Sequence, residues 1–344
     1  MSARKLHRQR LLFLLVLLVL LLILVPLSVS MGVIKASFLD VIKLMFNDRS
    51  VPPEIEAILM LRLKRALAAV AIGAILGAGG TSMQAVLRNP MASPFTLGIS
   101  HAAALGVAVS LLLGVSGTTS YRVITVHSPY LLPLFAFIFS LLQVAVILAL
   151  SYRAGLTERA IILAAIAISF FYQALLSLFQ YLFLNELQVA MVVFWTFGDL
   201  GRIDWTGLKI TVGAVVLLSI YYMARSFDLD LISLSDDVAH SSGVNPKRLR
   251  LEATIMTALG ASVATSFAGV LAFLCLVAPH VARLVVGGAH RYLLPASMLT
   301  GSLLVLVADT LGRVILSPVV LPVGIVLSLV GAPLLVYLLL RGGG

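Results

Sequence analysis

From residue 11 onward the chain alternates between long apolar runs and short polar segments that carry most of its charge. A helix crosses a hydrocarbon core of about 30 Å with roughly 20 apolar residues. By that measure ten spans are predicted, at residues 11–31, 57–87, 99–114, 130–151, 159–184, 207–224, 251–269, 275–287, 292–315 and 322–340. No alternating strand pattern is present, and backbone groups in lipid must find partners within their own segment, so the spans are expected to be helices. The predicted fold class is an all-α polytopic membrane protein with about ten transmembrane helices, a single transmembrane domain over residues 1–344.

Polar residues inside the spans refine this picture. Gly73, Gly77 and Thr81 recur every four residues, a small-residue face that lets a second helix approach closely. In the fifth span Ser169, Gln173, Ser177 and Gln180 form one stripe flanked by Tyr172 and Tyr181. Such a stripe faces a partner helix or a water-filled cavity, and both readings stand. Pro90 and Pro94 interrupt the chain after the second span, and Arg88 marks the inner side. Residues 32–56, with Asp40, Asp48, Pro52 and Pro53, and residues 115–129 are predicted as outer loops. The outer segment 185–206 holds Trp195 and Trp205, rings that favour the membrane interface.

The longest charged interruption in the C-terminal half is RSFDLDLISLSDDVAHSSGVNPKRLR, residues 225–250. Charges at bilayer depth cost several kcal/mol each, so this segment belongs in water. Ser235 can cap a short helix with Asp236 and Asp237 in its first turn, where the helix dipole favours negative charge. Gly243 is a plausible stop. Asn245 can cap a second helix with Pro246 at its first position. Two short helices between spans suggest a docking hook; a solvated linker is the plainer reading.

Composition supports the membrane assignment. Hydrophobic residues make up 61% of the 344 and charged residues 11%, against about 25% charged in soluble domains; the mean hydropathy is +1.11. The net charge of +10 reflects lysines and arginines that set topology, not affinity for nucleic acid. Ten spans put both termini in the cytoplasm and 14 of the 24 basic residues on the inner side; Arg62, Lys64, Arg65 and Arg313 cluster on the outer side. The basic start MSARKLHRQR and the apolar run after it resemble a signal peptide, but the run is long and no small-residue cleavage site follows, so an uncleaved first span is expected. Cys275 is the only cysteine, so no intrachain disulfide is possible.

No G-x-x-x-x-G-K-[ST] sequence is present to cradle ATP. The six histidines, at 7, 101, 127, 240, 280 and 290, show no metal-ligand spacing, and nothing resembles a nucleophile–base pair. Asp309 is the clearest acid at membrane depth, with Arg313 one turn away as its natural partner. Catalytic and metal sites are therefore not predicted. The chain reads as a passage without a motor of its own.

Six stretches, RLKRALAAVAIGAILGAGG, QAVLRNPMASPFTLGIS, LSDDVAHSSGVNPKRLR, FAGVLAFLCLVAPHVARLVVGGAHRYLLPAS, LVADTLGR and LPVGIVLSLVGAPLLVYLLLR, in this order, resemble the FecCD-type permease subunits of ATP-binding-cassette (ABC) importers for iron–siderophores, haem and vitamin B12. The resemblance runs from about residue 55 to 341. It implies a type II ABC importer permease in the prokaryotic cytoplasmic membrane, paired with a second permease copy. It also implies cytoplasmic ATPase subunits that carry ATP and Mg, an extracytoplasmic substrate-binding protein, and no cofactor on this chain. Residues 233–250 would be the coupling segment, with Ser235, Asp236, Asp237, Val238, His240, Gly243, Val244 and Asn245 facing the ATPase. Arg62, Arg65 and Arg313 would dock the binding protein, although Lys64 and Val320 stand where similar proteins often carry proline and glutamate. Ser169, Tyr172, Gln173, Ser177 and Gln180 would line the pathway, and Gly155, Leu156 and Thr157 its cytoplasmic gate. Two other readings of the residues are an ion-driven secondary carrier using Asp309 and a membrane sensor or scaffold that binds through the hook.

Overall fold

In the computed structural model the described residues are 3–32, 34, 37–46, 51–115, 118–120, 123–125 and 128–342. Each of the ten predicted spans is occupied by a helix. These are α1 (Ala3–Ser30), α3 (Pro53–Val86), α4 (Ile99–Leu112), α5 (Leu131–Arg153), α6 (Glu158–Leu182), α8 (Trp205–Ala224), α11 (Pro246–Ala268), α12 (Leu274–Val286), α13 (His290–Val314) and α14 (Val323–Gly342). Of these, α1, α5, α6, α8, α11 and α13 are long and apolar enough to cross a membrane; α4, α12 and α14 are shorter apolar helices.

Four further helices lie between them: α2 (Phe38–Met45), α7 (Glu186–Thr196), α9 (Ser226–Leu234) and α10 (Asp236–Ser241). Three fall where hydropathy alone predicts loop, and each has a local cause. Ser37 and Asp40 form a reciprocal capping box that starts α2, and Asn185 with Gln188 does the same for α7. Helix α9 follows α8 directly, held by an Arg225–Asp228 ion pair of 3.0 Å and by buried Leu229 and Ile232. The predicted outer loop 115–129 contains a small antiparallel hairpin, β1 (Thr118–Ser120) with β2 (Val123–Thr125). Asp48 and His127 lie outside the described residues.

The chain forms two compact units. The first comprises residues 1–78, 199–223 and 271–344. Within it α13 packs against α1, α12 and α14. The predicted small-residue face of α3 also meets α13: a side chain at Gly73 would strike the backbone of Gly301, and one at Gly77 the carbonyl of Ser297. Ser302 Oγ donates to the Val70 carbonyl at 2.7 Å across the same seam. Close backbone approach replaces the missing hydrophobic drive between helices in lipid.

The second unit comprises residues 79–198 and 224–270. Its core lies where α4 packs on α5, α6 and α7. Small residues on α4 (Ala103, Ala104, Ala108) leave a recess that the indole of Trp195 fills, only 3% exposed. This corrects the expectation of an interfacial ring at 195; Trp205 is 41% exposed.

Substituting Gly77 with leucine drives a branched side chain into the Ser297 backbone. We expect Gly77→Leu to abolish the monodisperse size-exclusion peak in mild detergent, while Leu284→Ala, at a residue 68% exposed, leaves it unchanged.

Candidate functional site

The hook forms as its cap residues dictate. Ser235 Oγ accepts from the Val238 amide at 3.0 Å and starts α10. Gly243, at φ +85°, ends it. Asn245 Oδ1 accepts from the Arg248 amide at 3.1 Å, with Pro246 at the first helical position. The second of the two expected short helices is instead the start of the long α11, because nothing after Pro246 interrupts it. Buried Ala239 and Leu249 back the hook; Leu234, Asp237, Val238, His240 and Gly243 are exposed.

One arginine anchors this hook. Arg250, near the start of α11, is 1% exposed. Its Nε donates to the Val86 carbonyl at the end of α3, at 2.9 Å. One Nη donates to the Leu156 carbonyl at 3.1 Å, and the other to Asp236 Oδ1 at 2.7 Å. Glu158 Oε2 lies 3.4 Å away. Arg88 completes the group, donating to Glu158 at 2.6 Å and lying 3.5 Å from Asp236. Two guanidiniums thus balance two carboxylates, so the buried charge is both paired and hydrogen-bonded. In the sequence Arg88 reads only as a topology marker, and Glu158 does not stand out. Their spacing of seventy residues leaves no local signal, beyond Thr157-Glu158 as a helix start.

The residues of the predicted gate form the turn between α5 and α6. Gly155 and Leu156 have φ of +84° and +55°, and Thr157 Oγ1 caps α6 through the Ala160 amide at 3.2 Å. Arg250 therefore binds the hook and this turn with one side chain. Further along α6, Leu87, Met91, Leu97, Ile162 and Ile166 line a cavity of about 170 Å³.

Helix α6 is the least buried of the long apolar helices. Within the polar stripe Gln173 and Ser177 are exposed, and Tyr172 and Gln180 are half-buried. Ser169 is half-buried as well and turns to Gln143, whose Nε2 lies 3.3 Å from Ser169 Oγ and donates to the Leu97 carbonyl at 2.6 Å.

Arg62, Arg65 and Arg313 are engaged inside the first unit. Asp309, with no exposed surface, accepts from Arg65 Nε at 2.6 Å on one oxygen and from Arg313 Nε at 3.1 Å on the other. Arg65 also pairs with Asp199 at 3.1 Å. Arg313 donates to the Met31 and Ser28 carbonyls, and Arg62 to those of Val29, Ser30 and Ile34. All three guanidiniums thus have partners within the chain, and Arg62 and Arg313 are buried. Burial lowers the basicity of Arg202, beyond Asp199, and that carboxylate opposes the change.

The sequence matches the model of the FecCD transport family over residues 20–341. It is 34% identical over 319 residues to the hemin transport system permease protein HmuU of Yersinia pestis, with 91% of each chain covered. It is 35% identical over 317 residues to the Fe(3+) dicitrate transport system permease protein FecD of Escherichia coli K12, covering 92% of this chain and 94% of the relative. A solved structure of an ABC transporter assigned to the metal-chelate type, in an inward-facing conformation, superposes with a TM-score of 0.81 at 25% identity, covering 96% of this chain and 99% of that one.

Removing one partner of a buried charge group strands the others. Asp309→Asn is expected to destabilise the protein by about 3–5 kcal/mol, read as a lowered melting temperature in detergent. Asp237→Asn, at an exposed residue, should not shift it.

Proposed function

The chain belongs to the FecCD transport family, and from that membership we propose that it is the permease subunit of an ABC importer for a metal chelate, in the class of iron–siderophore complexes, haem or vitamin B12. A partner ATPase supplies ATP and Mg²⁺ and docks on the hook from the cytoplasm, with both termini of this chain on that side. A second copy of this chain completes the pathway. An extracytoplasmic binding protein delivers the cargo.

The observation that carries the mechanism is the Arg250 group. A hook that only tethered a partner would need no buried connection to the membrane helices. Here the hook, the end of α3 and the α5–α6 turn share one guanidinium. Displacing the hook therefore pulls on the gate turn, and the cavity beside α6 gives that helix room to respond. The exposed Gln173 and Ser177 fit a helix that meets water or a second copy, because lipid offers their amide and hydroxyl no partner.

Arg62, Arg65 and Arg313 hold the platform on which the binding protein rests. The platform's exposed surface is the loop Ile315–Val320, closed by a 2.8 Å bond from the Leu321 amide to the Gly312 carbonyl. The same clamp speaks against an ion-driven carrier: both oxygens of Asp309 are held by guanidiniums.

The test is co-expression with a candidate ATPase and purification on a tag on this chain. We expect the ATPase to co-purify with the parent chain, and Val238→Asp with Val244→Asp to abolish co-purification. Arg250→Lys keeps the charge and loses the fork, so cargo uptake in proteoliposomes should fall about tenfold more than ATP hydrolysis. Equal losses would show that Arg250 does not transmit the motion. Failure of a well-folded parent chain to capture an ATPase would remove the importer reading.

A further inference from the structure

At the end of the first unit where α1 begins and α12 turns into α13, two arginines share one aromatic ring. The Arg10 guanidinium carbon lies 5.0 Å from the Tyr292 ring centroid and that of Arg291 lies 4.9 Å from it. The ring is fixed from its other sides. His7 Nδ1 is 2.6 Å from the Tyr292 hydroxyl, and Phe13, Leu14, Val286 and Leu293 pack around it. The two cations therefore lie within about one Debye length, about 10 Å at 0.1 M salt, of each other.

Among the described residues no carboxylate forms an ion pair with Arg10 or Arg291. Residues 3–39 and 271–308 contain no aspartate or glutamate, while Arg4, Lys5 and Arg8 add to the charge. Arg10 Nε is buried with no hydrogen-bond partner. Topology alone asks for cations in this region; it does not ask for two of them on one buried ring, nor for a buried donor without an acceptor. An anion bound between the guanidiniums would supply the acceptor and relieve the repulsion.

The surroundings indicate the kind of anion. Leu6, Leu11, Leu284 and Val285 are 38–68% exposed beside the arginines, on helices α1 and α12, which pack together. Such a surface takes acyl chains, while the arginines take a phosphate. Neither of these two segments offers a carboxylate to a choline or ethanolamine ammonium, which favours a head group of net negative charge. We propose that Arg10, Arg291 and Tyr292 form a binding site for the head group of an anionic phospholipid, its acyl chains lying along α1 and α12. This site stands independently of the transport reading.

The experiment is native mass spectrometry of the purified chain in non-ionic detergent, with an equimolar mixture of phosphatidylglycerol and phosphatidylcholine. The parent chain should retain phosphatidylglycerol about tenfold over phosphatidylcholine, and Arg10→Gln with Arg291→Gln should erase that preference. Arg291→Gln alone, at an exposed residue, is the variant certain to test binding should the double change impair folding; it should weaken retention severalfold. Arg8→Gln removes the same charge from an exposed neighbour and should leave retention unchanged. Equal loss in Arg8→Gln would mean diffuse attraction and overturn the site. Displacement of the lipid by millimolar inorganic phosphate, with phosphate adducts in its place, would reassign it to a free ion and overturn the lipid proposal.

Discussion

A guanidinium cannot be taken out of water without compensation, and Arg250 is almost wholly out of water. The cost of removing a charge from water amounts to several kcal/mol even after relaxation, so this side chain depends on the polar groups gathered around it. Two carboxylates, a second arginine and two backbone carbonyls from three separate parts of the chain converge on it. The geometry leaves little freedom. Val86 must end α3 where it does, the α5–α6 turn must present the Leu156 carbonyl, and α10 must begin with an acid. The hook is therefore an extension of the membrane helices and not a tether hung between them.

The Asp309 clamp solves the same problem in the first unit with the opposite sign. There a buried carboxylate is the group that needs partners, and two arginines meet its two oxygens. The remaining donors of Arg313, and those of Arg62, go to carbonyls near the end of α1, groups that a helix end leaves unpaired. Ion pairing and helix capping are thus done by the same side chains. This gives each arginine of the 62, 65 and 313 cluster a structural task within the chain.

Hydropathy made the helices legible, and cap chemistry made the hook legible, because both are properties of short windows. Ser235, Gly243, Asn245 and Pro246 act where local rules place them. What stayed hidden depends on contacts between distant segments. Glu158 gains its meaning from Arg88 and Arg250. Trp195 was expected at the interface because tryptophan prefers it; the alanines of α4, far earlier in the chain, draw it inside. Helices α2 and α7 were missed for a different reason. They are short, and their capping boxes lie in segments whose polarity reads as loop. The arginines at 62, 65 and 313 were visible as a cluster, but the direction in which they point depends on Asp309 and on the end of α1.

The solitary Cys275 has a practical consequence. It is 1% exposed in α12 and lacks a second thiol to pair with. Water-borne maleimides and methanethiosulfonates therefore meet no native target in the folded protein. A cysteine placed on the exposed face of α10 would be the sole accessible reporter in the wild-type background. Its spectroscopic signal would come from the hook alone, with no need to delete the native residue first.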